Sequence, residues 1–143
     1  MKKLYLLICL SVLIVSCGVD SLLQEAEIKK VAGKTSDAIE LYTRAIKQDQ
    51  SSIEAYKGRA AIYSGLKMYD KAFLDYLRAA IEAEHNDSYK DDAGLFYNQA
   101  AVYQEMHNLS QENDDLCFIA DKYYKKSCDL GYASACDSKC LKK

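Results

Sequence analysis

Small and apolar positions return along this chain at a fixed step of 34 residues: Ala26 matches Ala60, Ala38 matches Ala72, Tyr42 matches Tyr76, Ala45 matches Ala79 and Ile46 matches Ala80. A period of this length predicts stacked supersecondary units, each burying its apolar face against its neighbours. Within a unit the first Ala lies near the middle of one predicted helix, and a second Ala twelve residues later opens another. An aromatic follows four residues on, and a small residue three after that. With side chains repeating every 3.6 residues in a helix, Ala38, Tyr42 and Ala45 share one face, as do Ala72, Tyr76 and Ala79. The small residues let two helices approach closely, and the tyrosine fills the space between layers. Ser51-Ser52-Ile53-Glu54 has the form of a capping box at a helix start, and Gly33-Lys34-Thr35-Ser36 breaks the chain before the next helix.

A third unit carries insertions. Phe96, Ala100 and Tyr103 mark its first helix, and Ala120, Tyr124 and Ser127 its second. The step from Ala79 to Ala100 is 21 residues against 15 from Ala45 to Ala60, and Ala100 to Ala120 is 20 against 12 from Ala60 to Ala72. The added residues fall in the polar stretches 85–92 and 107–113, which read as longer loops or extra helical turns. A short helix from about Ala133 closes the stack.

These residues resemble the tetratricopeptide repeat, most closely in the second unit, where Tyr56, Ala60, Tyr63, Ala72, Tyr76 and Ala79 occupy its aromatic and small positions. Tyr69-Asp70-Lys71-Ala72 reads like that family's inter-helix turn. The first unit keeps Ala26, Ala38, Tyr42 and Ala45 but has Leu22 and Lys29 where aromatics are usual, as an end repeat often does. The resemblance implies an all-α fold: a right-handed superhelical stack of about three helix pairs, near 19–52, 53–86 and 93–130, with a C-terminal cap over 132–143. It also implies a concave face that binds a peptide or a partner's helix. By family position that groove comprises Leu23, Glu27 and Lys30, then Lys57, Ala61 and Ser64, then Tyr97, Ala101 and Gln104. The Lys and Asn array that clamps a C-terminal carboxylate in some members is incomplete, because Ala61 stands where Asn would.

The first residues follow another pattern. Met1-Lys2-Lys3 is a short basic segment, and Leu4 to Val15 is an uncharged apolar run of a dozen residues, short for a bilayer span but suited to a signal-peptide core. The run ends in Ile14-Val15-Ser16-Cys17, which resembles the lipobox of bacterial lipoproteins. The resemblance implies removal of residues 1–16, lipid on Cys17, and a single mature domain over 17–143. With CH₂ groups contributing about 0.8 kcal/mol each on burial, two or three chains hold a protein stably to a membrane. Gly18 lacks the Asp retention signal of enteric bacteria, so the expected address is the outer membrane, facing the periplasm.

Four cysteines lie beyond that anchor: Cys117, Cys128, Cys136 and Cys140. Their even number and an oxidising compartment imply disulfides, with the connectivity open on the residues alone. The segment 123–136 resembles the cysteine-rich, Sel-like relatives of the tetratricopeptide family. In that class two cysteines separated by seven residues staple one repeat to the next, which implies Cys128 with Cys136 and leaves Cys117 with Cys140. A four-cysteine zinc site is the competing reading, but intervals of ten, seven and three residues lack the paired close spacing of structural zinc modules.

Composition and charge narrow the function. The chain has no Pro, 12 Tyr, and 19 basic against 21 acidic residues, and without Lys2 and Lys3 its formal charge moves from −2 to −4. No basic stripe suggests nucleic acid. His85 and His107 fall in predicted loops without a metal or nucleophile arrangement around them, and Asp91-Asp92 and Asp114-Asp115 read as helix N-terminal charge. Ser64-Gly65-Leu66-Lys67 fits S-x-x-K, the nucleophile element of β-lactamases, but Ser-Asp-Asn and Lys-Thr-Gly companions are missing. The expectation is therefore a binding protein with no catalytic residue, metal or cofactor: a lipid-anchored envelope adaptor holding another envelope protein or a peptide. The alternative is a Sel-like protein acting on peptidoglycan or β-lactams.

Overall fold

The computed structural model describes residues 18–86, 92–110 and 114–140. The lipidation candidate Cys17 lies outside them. Among the described residues seven helices run in order: α1 over 18–31, α2 (Thr35–Gln48), α3 (Ile53–Gly65), α4 (Tyr69–Glu84), α5 (Ala93–Ser110), α6 (Asp114–Asp129) and α7 (Ala133–Cys136). No strand occurs among the described residues, and none of their helices is long and apolar enough to cross a membrane.

The helices stack in chain order, with α2 against α3, α3 against α4, α4 against α5, α5 against α6 and α6 against α7. The 34-residue period explains this. Ala26, Ala38 and Ala45 are fully buried with Tyr42 in the first cluster of the core. Ala60, Ala72 and Ala79 are fully buried with Tyr76 in the second, and Ala100 and Ala120 with Tyr124 in the third. A small side chain at each helix crossing permits close approach, and each tyrosine ring then fills the gap between layers. Burial pushes the hydroxyls of Tyr76 and Tyr124 up to about 12, so both remain neutral in the core. Each cluster draws on one pair and the helix that follows, as in a nearest-neighbour solenoid.

The first helices of the first two units end alike. Gly33 (φ 72°) follows α1 in the left-handed region, with Gly33 N–H donating to Lys30 O and Lys34 N–H to Lys29 O. Thirty-four residues on, Lys67 (φ 59°) follows α3 in the same geometry, with Lys67 N–H donating to Ser64 O and Met68 N–H to Tyr63 O. Both are Schellman caps, in which a left-handed residue turns the chain back onto the helix's last carbonyls. The reversal therefore sits at Leu66 to Met68, and Tyr69-Asp70-Lys71-Ala72 forms the first turn of α4 rather than the turn itself.

Two local expectations change. Ser52, one residue later than the capping box requires, caps α3 by accepting from Ala55 N–H at 3.4 Å, while the Ser51 hydroxyl turns to Asp49. Of the two readings of the insertion at 107–113, extra helical turns hold as far as Ser110, making α5 18 residues long against 13 for α3. His107 consequently stands in the last turn of α5 and is buried, not solvated in a loop. The cause is the α5–α6 hairpin, which folds α6 and the chain around Cys140 over that turn. His85 does stay exposed just after α4, with Nδ1 2.8 Å from the Ile81 carbonyl.

Candidate binding cleft

The first helices of units one and two bring one part of the expected groove together. Leu23, Gln24 and Glu27 on α1 face Glu54, Lys57 and Gly58 on α3 across a cleft of about 360 Å³, with Tyr42 of α2 entering between them. Leu23 also packs on the first core cluster. Gly58 is buried where Tyr42 passes, so the cleft is built from the tyrosine ring and bare backbone at that point.

Tyr42, Glu27 and Lys57 around it are already committed. Tyr42 donates its hydroxyl proton to Glu27 Oε2 at 2.5 Å, and Lys30 Nζ donates to Glu27 Oε1 at 2.5 Å. Burial works against ionisation of Glu27, but the bonds from Lys30 and Tyr42 outweigh it and hold the carboxyl below its ordinary value. Burial, reinforced by Glu27, pushes the Tyr42 hydroxyl far upward, so it stays a donor. Lys57 Nζ pairs with Asp92. That aspartate precedes α5, and its other carboxylate oxygen accepts from Leu95 N–H at 2.9 Å. One carboxylate thus caps α5 and neutralises Lys57.

The remaining groove positions lie elsewhere. Tyr97 packs on Tyr124 and Tyr132, with ring centroids 5.6 Å and 4.9 Å away. Gln104 accepts a 2.9 Å hydrogen bond from the Tyr124 hydroxyl. Ala61, Ser64 and Ala101 do not line the cleft either. Sequence spacing missed Gln24, Tyr42, Glu54 and Gly58 as cleft residues and Asp92 as the partner of Lys57. Tyr42 and Asp92 were visible only in their packing and helix-terminal roles. A cavity of about 540 Å³, lined by Met68, Tyr69, Met106, Leu109 and Leu116 with Lys67, Asp70 and Lys71, opens at the edge of the stack instead.

The S-x-x-K element cannot act as one unit on a helix. Ser64 is in the last turn of α3, whereas Lys67 has left the helix in the left-handed conformation. The four C-terminal cysteines form two separate pairs: Cys128–Cys136 with S–S 2.16 Å and Cys117–Cys140 with S–S 2.09 Å. A joint four-cysteine zinc centre is excluded by distance, because Cys117 and Cys128 are eleven residues apart on α6, roughly 16 Å at the helical rise.

Solved structures with this architecture exist. The first TPR domain of Spaghetti (RPAP3), bound to HSP90 peptide SRMEEVD, matches with TM-score 0.66 at 22% identity over 81% of this chain and 81% of that one. The second TPR domain of the same protein, bound to the same peptide, matches with TM-score 0.64 at 21% identity over 79% of this chain and 92% of its own. The fold is that of a tetratricopeptide repeat domain. No protein-family model matches the chain, and no curated protein matches it significantly.

Proposed function

We propose that this chain is a lipid-anchored cell-envelope adaptor whose cleft between α1 and α3 seats a peptide segment of another envelope protein. The cleft carries the reading: an apolar floor of Leu23, Tyr42 and Gly58 with Glu27, Glu54 and Lys57 at its sides, of which Leu23, Glu27 and Lys57 hold positions that the family resemblance assigns to a concave face. Comparable domains of Spaghetti hold a peptide, and main-chain and side-chain anchoring in preformed grooves is a general mode of peptide recognition. The occupant differs in chemistry from an acidic C-terminal tail. Lys57 is held by Asp92 and Lys30 by Glu27, so neither cation is set out for a free carboxylate.

The address rests on the basic start, the apolar run Leu4 to Val15 and Cys17, and two disulfides suit an oxidising compartment. Cross-linking in cells, followed by identification of the captured protein, tests the adaptor role. Reproducible capture of one envelope protein supports it. Absence of such a partner together with measurable peptidoglycan binding overturns it. Cys17→Ala moves the protein from the membrane to the soluble fraction if the anchor is lipid, and retention at the membrane contradicts the anchor.

A further inference from the structure

Where α5, α6 and the C-terminal segment meet, three potential metal ligands come from three separate pieces of chain. His107 is in the last turn of α5, Cys117 in the first turn of α6, and Cys140 beyond α7. Their ligand atoms all lie within 4.8 Å of one another, and all three residues are buried, at 6%, 0% and 8% exposure. Cys140 is placed by its own backbone, whose N–H donates to Asp121 Oδ1 at 2.7 Å.

Oxidised, the two sulfurs are bonded to each other and neither is available to an ion. Reduction changes this without needing a new arrangement of the helices. A tetrahedral zinc ion, about 2.3 Å from sulfur and about 2.1 Å from nitrogen, needs its ligand atoms roughly 3.5 to 3.8 Å apart. The His107 ligand nitrogen already lies within 4.8 Å of both sulfurs, so what the site needs after reduction is rotation at Cys117 and Cys140 that opens the two sulfurs from bonding distance to that spacing.

We propose that the reduced chain binds a thiophilic metal ion of the Zn²⁺ class through His107, Cys117 and Cys140, so that this corner holds either a disulfide or a metal. A dithiol reductant supplies two electrons and two protons to the Cys117–Cys140 bond and becomes a disulfide itself. The ion then displaces both thiol protons to solvent and takes a lone pair from a ring nitrogen of His107. Two thiolates and an imidazole form a soft N/S donor set, which favours zinc over oxygen-seeking cations such as Mg²⁺. The Cys128–Cys136 pair has no part in it, since it joins α6 to α7 farther along the helix.

The test uses the full chain with Cys9→Ser, Cys17→Ser, Cys128→Ser and Cys136→Ser, leaving Cys117 and Cys140 as the only thiols. It is reduced with a water-soluble phosphine and titrated with Zn²⁺ against a chromogenic chelator. The expected result is one equivalent bound, none in the oxidised protein, and a thiolate charge-transfer band when Co²⁺ replaces Zn²⁺. His107→Ala should weaken binding by about 100-fold, since even groups supporting a metal ligand are worth about 10- to 100-fold. Absence of stoichiometric zinc in the reduced chain, whether or not its helical circular dichroism persists, overturns the proposal. So does undiminished affinity in His107→Ala or Cys117→Ser.

Discussion

The ring of Tyr42 lies in the space that any side chain at Gly58 would need: a Cβ there would stand 2.3 Å from Tyr42 Cζ and 2.7 Å from its hydroxyl oxygen. The aromatic closing the first unit is thus seated on bare backbone of the second, and its hydroxyl reaches across to Glu27. Gly58→Ala should displace the ring, break that hydrogen bond and destabilise the chain by about 1–3 kcal/mol, as overpacking does. Urea denaturation of the variant measures it. An unchanged midpoint would contradict the close seating.

Arg59 ties three helices together. Its Nε and one terminal nitrogen donate to Asp75 on α4 at 2.7 and 2.8 Å, and the other terminal nitrogen donates to Thr43 Oγ1 on α2 at 2.9 Å. The bond to Asp75 raises the guanidinium pKa further, so Arg59 keeps its charge. Arg59→Met leaves the buried Asp75 carboxylate without its cation and should cost about 3 kcal/mol. Arg59→Met with Asp75→Leu should recover most of that loss. Chemical denaturation of both variants gives the comparison.

Lys67 occupies a left-handed position where the equivalent turn has Gly33. A side chain in that region costs about 1–2 kcal/mol, partly offset by the greater freedom a glycine loses on folding. Lys67→Gly should therefore stabilise the chain by about 0.5–1 kcal/mol, seen as a rise in melting temperature.

How far the sequence reaches is clear at these three places. The repeat period located the helix pairs because small residues and tyrosines must recur wherever identical crossings recur. The family resemblance, not the period, assigned Leu23, Glu27 and Lys57 to one face, and these three line the cleft. Lys67 shows where local signals fail, since its turn is dictated by the stacking of α3 on α4 against its own preference. Asp92 and Gly58 depend on contacts 35 and 16 residues away, to Lys57 and Tyr42. No spacing rule reports those. The capping box slipped by one residue because two adjacent serines offer equivalent caps, and His107 was misplaced because a polar insertion continued the helix.

The two disulfides should differ in accessibility and in contribution. Cys136 is exposed, whereas Cys117 and Cys140 are buried. Limited reduction with alkylation and mass mapping should therefore open Cys128–Cys136 first. With sequence separations of 8 and 23, chain entropy assigns about 2.5 kcal/mol to the shorter closure and about 3.4 kcal/mol to the longer. Cys140→Ser should lower stability more than Cys136→Ser. Equal reduction rates would contradict the burial difference.

The central claim, that the cleft between α1 and α3 holds a partner, is tested most directly by a photo-reactive residue placed at Gln24. Gln24 lines the cleft and is exposed, and Lys125 on α6, also exposed and outside it, serves as the control position. Illumination in cells should yield one reproducible adduct from position 24, identified as an envelope protein, and none from position 125. Capture of the same protein from both positions, or from neither, would contradict the account.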